Sequence, residues 1–301
     1  MYQKRLIDRL LDEEFNELPA ILIEGAKAVG KTDFDIMDYL DELFRSGFPG
    51  IRRYSQKAIK RQLEGYVENI IQREFEENGF TIRKPESLRA WMKAYAAASA
   101  TTTTDSKILE VSISNFTEQT SRQTATSYKN ALNTLNIIHD VPAWLPMGKL
   151  FPNLAKTSKH FLLDASLIPT LLNITKEELT QYQVPKPISK FNKTFLGQLF
   201  EALVYQSLIV YVDILGAQLS HFRTKDGKRE IDFILQKGKT VVAFEVKASQ
   251  NASDDYVENI NWFQQSLGDE YQVTKILINS GPRAYLRVDG VYVVPLALLG
   301  L

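Results

Sequence analysis

The sequence predicts a mixed protein, a helical first half followed by a C-terminal α/β domain. Three observations predict it. Before residue 156 the apolar residues recur mostly at helical spacing. A long apolar helix, "FLGQLFEALVYQSLIVYVDILG", then precedes three strand-like runs, "AQLSHFRTK", "REIDFILQ" and "TVVAFEVKAS". Turn signals separate these runs, Asp226-Gly227 and Lys237 to Lys239, and a helix and further strands follow.

Taken in order, Gln3 to Phe15 has helical spacing and "PAILIEG" reads as a short buried strand ending in glycine. "DFDIMDYLDELFRSGFPG" is a helix with Met37, Leu40, Leu43 and Phe44 on one side, stopped by Gly47 and Pro49. Ala58 to Asn78 is a longer helix of mixed charge, read as having a solvated face. Glu86 to Ala100 is an alanine-rich helix, and "TTTTDSKILE" is a loop or hinge. In the polar stretch that follows, Tyr128, Leu132 and Leu135 have i, i+4, i+7 spacing. The pattern is helix–turn–helix, with "HDVPAWLP" as wing or exit strand, a winged-helix-like unit. Arg122 and Lys129 are the cations of its second helix, few for reading DNA, so a contact-making role is favoured. "HFLLD" is a strand followed by a short helix. "NASDDYVENINWFQQSL" is a helix, and "YQVTKILINSG" and "VYVVPLALLGL" close the chain.

Composition narrows the function. The chain has 301 residues, enough for two or three domains, with 44% hydrophobic and 24% charged residues. The formal net charge is zero, so any attraction to nucleic acid must be local. There is no cysteine, which excludes disulfides, thiolate metal sites and cysteine nucleophiles. The N-terminus has no signal-like apolar core, and no uninterrupted apolar run reaches membrane-spanning length. A cytoplasmic protein without a membrane partner is expected. His139 and His160 are each read as lone packing or surface histidines, and Trp91, Trp144 and Trp262 as core or rim residues.

Two motifs carry chemistry. Gly25-Ala26-Lys27-Ala28-Val29-Gly30-Lys31-Thr32 matches the phosphate-binding loop G-x-x-x-x-G-K-[ST], after the apolar run "AILIE". In such a loop Gly25 and Gly30 let backbone N–H groups curl around phosphates, Lys31 neutralises phosphate oxygens and Thr32 reaches Mg²⁺. Asp164 is the best later candidate for the metal-holding acid, and it is followed by a small-residue turn. The second motif joins "REIDFIL" to "AFEVKAS". Glu245 and Lys247 alternate with Phe244 and Val246, so on a strand the charged pair shares a face. A short hairpin brings Asp232 toward them, and Glu201 on the preceding helix could face the same point. Buried carboxylates beside a lysine are costly unless something compensates, and a divalent cation does so.

Several stretches resemble one large prokaryotic family of AAA+-like ATP-binding proteins. In that family an N-terminal P-loop ATPase domain precedes the domain of unknown function numbered 4143. "YQKRLIDRLLDEEFNELPAILIEGAKAVGKT" resembles the family's N-terminus. "YLDELFRSGFPGIRR", "YVENIIQREFEENG", "HFLLDASLIPTLL", "GQLFEALVYQSL" and "HFRTKDGKREIDFILQKGKTVVAFEVKAS" resemble its later segments in order. The resemblance breaks between Thr32 and Asp33, where the bulk of the ATPase domain has no counterpart. It therefore implies that the loop is a remnant, that ATP is held weakly or vestigially, and that ATP turnover is lost. The implied organisation is a P-loop remnant over 1–32, a helical connector over 33–84, a winged-helix-like region over 85–155 and a final domain over 156–301.

The layout of a helix Glu, then Asp, then E-x-K across a hairpin resembles the PD-(D/E)XK nuclease fold. By that resemblance Asp232 and Glu245 would bind Mg²⁺ or Mn²⁺, Lys247 would position the attacking water, and Glu201 would support the metal or the water. His221 and Arg223 would contact phosphate, and Gln250 would help orient the lysine. Two readings stay open from sequence: a metal-dependent nuclease, and a module that binds nucleic acid or a protein partner without cutting. A fold retained without activity is a third.

Overall fold

The computed structural model describes residues 36–80, 84–113, 120–146, 154–180 and 194–299. The phosphate loop, Gly25 to Thr32, and the helix and strand expected before it lie outside the described residues. By its internal contacts the chain divides into two units. One comprises 40–141 with 157–206. The other comprises 142–156 with 207–301 and the segment up to 39. Residues 157–206 therefore group with the helices before them rather than with the C-terminal strands.

The first unit holds α1 (Ile36–Arg45, its first residues assigned to the other unit), α2 (Gln56–Asn69), α3 (Pro85–Ala97), α4 (Asp105–Ile113), α5 (Arg122–Thr134), β1 (Ile138–Val141), β2 (Lys159–Leu162), α6 (Leu167–Leu172) and α7 (Lys176–Thr180). On α1 the buried residues are Tyr39, Leu40 and Leu43, while Met37, expected on the inward side, is exposed. α2 buries Ile59, Leu63 and Val67 and continues through a π-helical turn, Ile70–Glu74, that adds Ile70 and Ile71 to the core. The mixed-charge stretch thus has a full apolar face beside its solvated one.

α3 is the hub. Leu88, Trp91, Met92 and Tyr95 repeat at i, i+3, i+4, i+7 and are buried. Pro85 starts the helix where its lacking N–H costs nothing. α4, α5, α6 and β2 pack on it. The expected loop at "TTTTDSKILE" ends at Thr104, because Asp105 opens α4. α5 begins at Ser121, whose side chain accepts from the Thr124 N–H at 3.1 Å. Ala125, Tyr128, Ala131 and Leu132 form its buried stripe, close to the expected spacing. β1 and β2 pair antiparallel, with Ile138 opposite Leu162.

One charged network of this unit is closed within it. Asp140 receives Lys129 Nζ at 2.8 Å and faces His160 Nδ1 at 2.8 Å. Lys129 also pairs with Asp105 at 2.9 Å, so one of the two cations of α5 is neutralised within the unit. Burial pushes the Asp140 carboxyl up, but hydrogen bonds from His160 and Lys129 outweigh it and hold the group at about 2. Because the folded value lies below the ordinary 3.8, the contribution is complete above about pH 4. It is lost as pH falls from there through about 2. Asp140→Asn is expected to cost about 1 kcal/mol at neutral pH, discounted for the quarter-exposed side chain, and to flatten the acid limb of stability below about pH 4. Urea denaturation across that pH range measures both.

α8 (Thr194–Leu215) contributes its first part to this unit and Ser207–Leu215 to the other. Its window Phe195–Val212 is the one stretch among the described residues long and apolar enough to cross a bilayer by composition, and half of it is buried within the protein.

The second unit is built on six strands: β3 (Gln218–Arg223), β4 (Glu230–Lys237), β5 (Thr240–Lys247), β6 (Gln272–Asn279), β7 (Tyr285–Leu286) and β8 (Val291–Pro295), in the order β3-β4-β5-β6-β8-β7. β3, β4 and β5 form an antiparallel meander through turns with Gly227 and Gly238 at positive φ, 69° and 60°. α9 (Asp254–Leu267) then carries the chain across to β6, parallel to β5. Val241 to Val246 of β5 are buried without interruption, as expected for a strand covered on both faces. Val257, Ile260, Phe263 and Leu267 of α9 pack with Ile234, Val241, Ala243 and Leu277 of the sheet. Trp144 joins this core and donates from Nε1 to Gln236 Oε1 at 2.6 Å. The mixed α/β class is as the sequence predicts.

Candidate metal-binding and catalytic site

The pairing of Phe233 with Phe244 fixes the register of β4 on β5. That register brings Asp232 beside the end of β5. Asp232 Oδ2 accepts from the Val246 N–H at 2.9 Å, and Asp232 is 8% exposed. Glu245 is 5% exposed, and Lys247 Nζ donates to its Oε1 at 2.6 Å. The second carboxylate oxygen of Glu245, Oε2, is buried without a hydrogen-bond partner among the described residues. Burial first, and then the charge of Asp232, push the Glu245 carboxyl up to about 8, against the opposing pull of Lys247. Glu230, two residues before Asp232, adds to that push and is itself paired with Arg223 at 3.2 Å.

The cluster sits at the carboxyl ends of the parallel strands β5 and β6, where open α/β sheets commonly form crevices. The backbone there is pinned. Ser280 N–H donates to Ser249 O at 3.1 Å, and Asn279 Nδ2 donates to Gln250 O at 3.1 Å. A Cβ at Gly281 would lie 2.8 Å from Gln250 O, so only glycine allows this approach. The Lys247 ammonium lies 5.9 Å from the centre of the Tyr256 ring on α9.

Asp232, Glu245 and Lys247 are therefore brought together as the hairpin spacing implies. The other expected residues are placed differently. Glu201 accepts from Lys159 Nζ at 2.7 Å, a nearly buried pair within the helical unit. His221 is fully buried, its backbone N–H donating to Pro142 O and its carbonyl accepting from Trp144 N–H, so its ring is not presented to a substrate phosphate. Arg223 is held by Glu230. Gln250 contributes its carbonyl. Among the described residues no group of three or more His, Asp or Glu side chains gathers as a metal site. Asp164 has the described partners of a structural turn residue. It organises the turn after α1, accepting from Ser46 Oγ at 2.5 Å, Gly47 N–H at 2.9 Å and Ser166 N–H at 2.9 Å. Tyr256 and Glu230 are the residues that sequence reasoning overlooked. Glu230 had a signal, its i, i+2 spacing to Asp232 on a strand. Tyr256 had none, since its place depends on how α9 docks.

The fold and cluster define a mixed α/β domain with a carboxylate–lysine group at the end of a parallel strand pair. Residues 196–299 match a domain of unknown function, DUF4143, and residues 36–178 match another, DUF8612. The first agrees with the resemblance read from the sequence. No curated protein matches the chain. Among solved structures, Can2 from Sulfobacillus thermosulfidooxidans in complex with cyclic tetra-adenylate is similar, at 12% identity and a TM-score of 0.25. The match covers 86% of this chain, which spans little more than half of that protein, 56%.

Proposed function

We propose that the C-terminal unit is a divalent-cation-dependent phosphodiester hydrolase acting on nucleic acid, with Asp232, Glu245 and Lys247 as its catalytic group. The observation that carries this reading is Glu245: a buried carboxylate beside a second one, with Oε2 lacking a hydrogen-bond partner among the described residues. Such a pair is relieved either by a proton or by a cation. Hard carboxylate oxygens suit Mg²⁺ or Mn²⁺. Bound there, such an ion supplies charge neutralisation at phosphate and acidity to a water. Asp232 and Glu245 hold it. Lys247, on a flexible stem with three donors, orients the attacking water and stabilises the charge gathering on the phosphate oxygens. A role for Glu201 rests on the resemblance alone. ATP binding rests on the motif Gly25 to Thr32.

The second reading is a module that binds nucleic acid or a protein without cutting. The 2.6 Å contact between Lys247 and Glu245 favours it, because the lysine is engaged inside the cluster. The test is cleavage of DNA and RNA of varied structure with Mg²⁺ or Mn²⁺, together with calorimetric metal titration. Wild-type protein is expected to cut, and Glu245→Ala and Lys247→Ala to lose at least about 100-fold in rate, as for groups acting directly on the transition state. Metal uptake without cutting would leave the binding module. The absence of both uptake and cutting would overturn the cation site itself.

A further inference from the structure

His160, which the sequence presents as a packing or surface histidine, lies on β2 at 3% exposure with both ring nitrogens engaged. Nδ1 faces Asp140 Oδ1 of β1 at 2.8 Å, and Nε2 faces the backbone carbonyl of Thr103 at 2.6 Å. Thr103 belongs to the loop 98–104 that joins α3 to α4. The backbone of His160 holds the same loop: Ala100 N–H donates to His160 O at 2.7 Å, and His160 N–H donates to Thr101 O at 3.1 Å. All of these groups lie within the helical unit.

Two observations bear on the charge of this ring. First, both of its partners can only accept. A backbone carbonyl has no proton to give. The Asp140 carboxyl, held at about 2 despite its burial, is ionised. A neutral imidazole has one donor, so one of the two contacts would set lone pair against lone pair. An imidazolium has two donors and satisfies both. Second, the charges balance only with the extra proton. Lys129 Nζ is shared between Asp140 at 2.8 Å and Asp105 at 2.9 Å. Beside a neutral ring, two carboxylates would divide one ammonium. Beside an imidazolium, two cations meet two anions. The other titratable groups around the ring leave this count unchanged. Tyr95 of α3 packs its ring 5.1 Å from that of His160 and donates to His139 O and Asp140. Burial first, and then Asp140, push the Tyr95 hydroxyl well up, so it stays a neutral donor. His139 meets the Tyr205 hydroxyl, and Lys159 pairs with Glu201.

We infer that His160 is held as an imidazolium and forms a pH-sensitive latch, fastening the α3–α4 loop to the β1–β2 pair while the ring keeps both protons. Loss of one proton as pH rises leaves the ring a donor short. The carboxylate is the stronger acceptor, so Nδ1 keeps the remaining proton and the contact to Thr103 O opens. Thr104 comes next, and its carbonyl accepts from the Lys107 and Ile108 N–H groups at 2.9 and 3.0 Å, the first turn of α4. Opening therefore frays the start of α4, while the backbone bonds of His160 to Ala100 and Thr101 remain.

The test uses the full chain. Long-range proton–nitrogen correlation spectra read the ring directly. Near neutral pH one of the three histidines is expected to carry protons on both nitrogens, with its signal lost in His160→Gln. Asp140→Asn is expected to return that ring to a single proton. Hydrogen exchange, corrected for the intrinsic pH dependence of amides, reads the latch. Protection of the Lys107 and Ile108 amides is expected to fall at least about tenfold between about pH 6 and about pH 9, the loss of one hydrogen bond from a charged donor. In His160→Gln that protection is expected to be independent of pH. A single ring proton on His160 of the wild type near neutral pH overturns the imidazolium, whether or not any variant folds. Wild-type protection unchanged across the pH range, or falling equally in His160→Gln, overturns the latch.

Discussion

Glu245→Gln is expected to stabilise the protein by about 2–4 kcal/mol near pH 9 in the presence of a chelator, and to change little near pH 5. The folded carboxyl is pushed up to about 8 from its ordinary 4.5 by burial and by Asp232. A group raised in this way contributes stability that is fully present below about pH 4.5. That contribution falls as pH rises and is gone once pH has passed about 8. Glutamine keeps an acceptor for Lys247 and carries no charge to bury, so the alkaline decline disappears with it. The range stays below the full linkage value because Lys247, about a third exposed, loses its ionic partner in the variant. Denaturant titrations of both proteins from about pH 5 to 9 read the difference directly. A wild-type curve flat across that range would mean that Glu245 is ionised throughout. Added Mn²⁺ is expected to stabilise the wild type and not the variant, because only the wild type offers the charged oxygen.

Asp164→Ala is expected to cost about 3–5 kcal/mol of unfolding free energy, the range for breaking a buried hydrogen-bonded network at a charged group. The residue is 2% exposed and its two oxygens accept from Ser46, Gly47 and Ser166. Without it, the Ser46 hydroxyl and two backbone N–H groups in a buried turn lose their acceptor. Ser46 already holds a φ of 68°, a strained value for a residue with a side chain. The turn is also backed by Gln206, whose Oε1 accepts from Ala165 N–H at 3.0 Å and whose Nε2 fills the space where a Cβ on Gly47 would fall. Asp164→Asn, which keeps an acceptor, is expected to recover part of the loss. Thermal unfolding ranks the three proteins, and equal midpoints for Ala and wild type would refute the network's role.

Much of the architecture was legible because it rests on local periodicity. The buried stripe Leu88, Trp91, Met92 and Tyr95 lies in the alanine-rich segment read as a helix, and the β3–β5 meander follows its glycine turns. The alternation of "AFEVKAS" was read as a half-buried strand, whereas Val241 to Val246 are buried without interruption. What periodicity misjudged were single residues on amphipathic faces. Met37 was assigned inward and is exposed, while Tyr39, not assigned, is buried. β7 escaped notice because two residues give no period to read.

The candidate site divides in the same way. Asp232, Glu245 and Lys247 belong to one hairpin, so spacing and strand alternation alone suffice to bring them together. The sequence by itself determined the mixed α/β class, the strand pairing of the meander and this carboxylate–lysine group, because each depends on interactions across a few residues. Only the tertiary structure decided the partners of Glu201 and Asp164. Lys159 meets Glu201 across 42 positions, and Ser46 meets Asp164 across 118. No local pattern encodes such partners. Whether a buried charged group is paired or left to a ligand depends on the dielectric and donors that packing assembles around it.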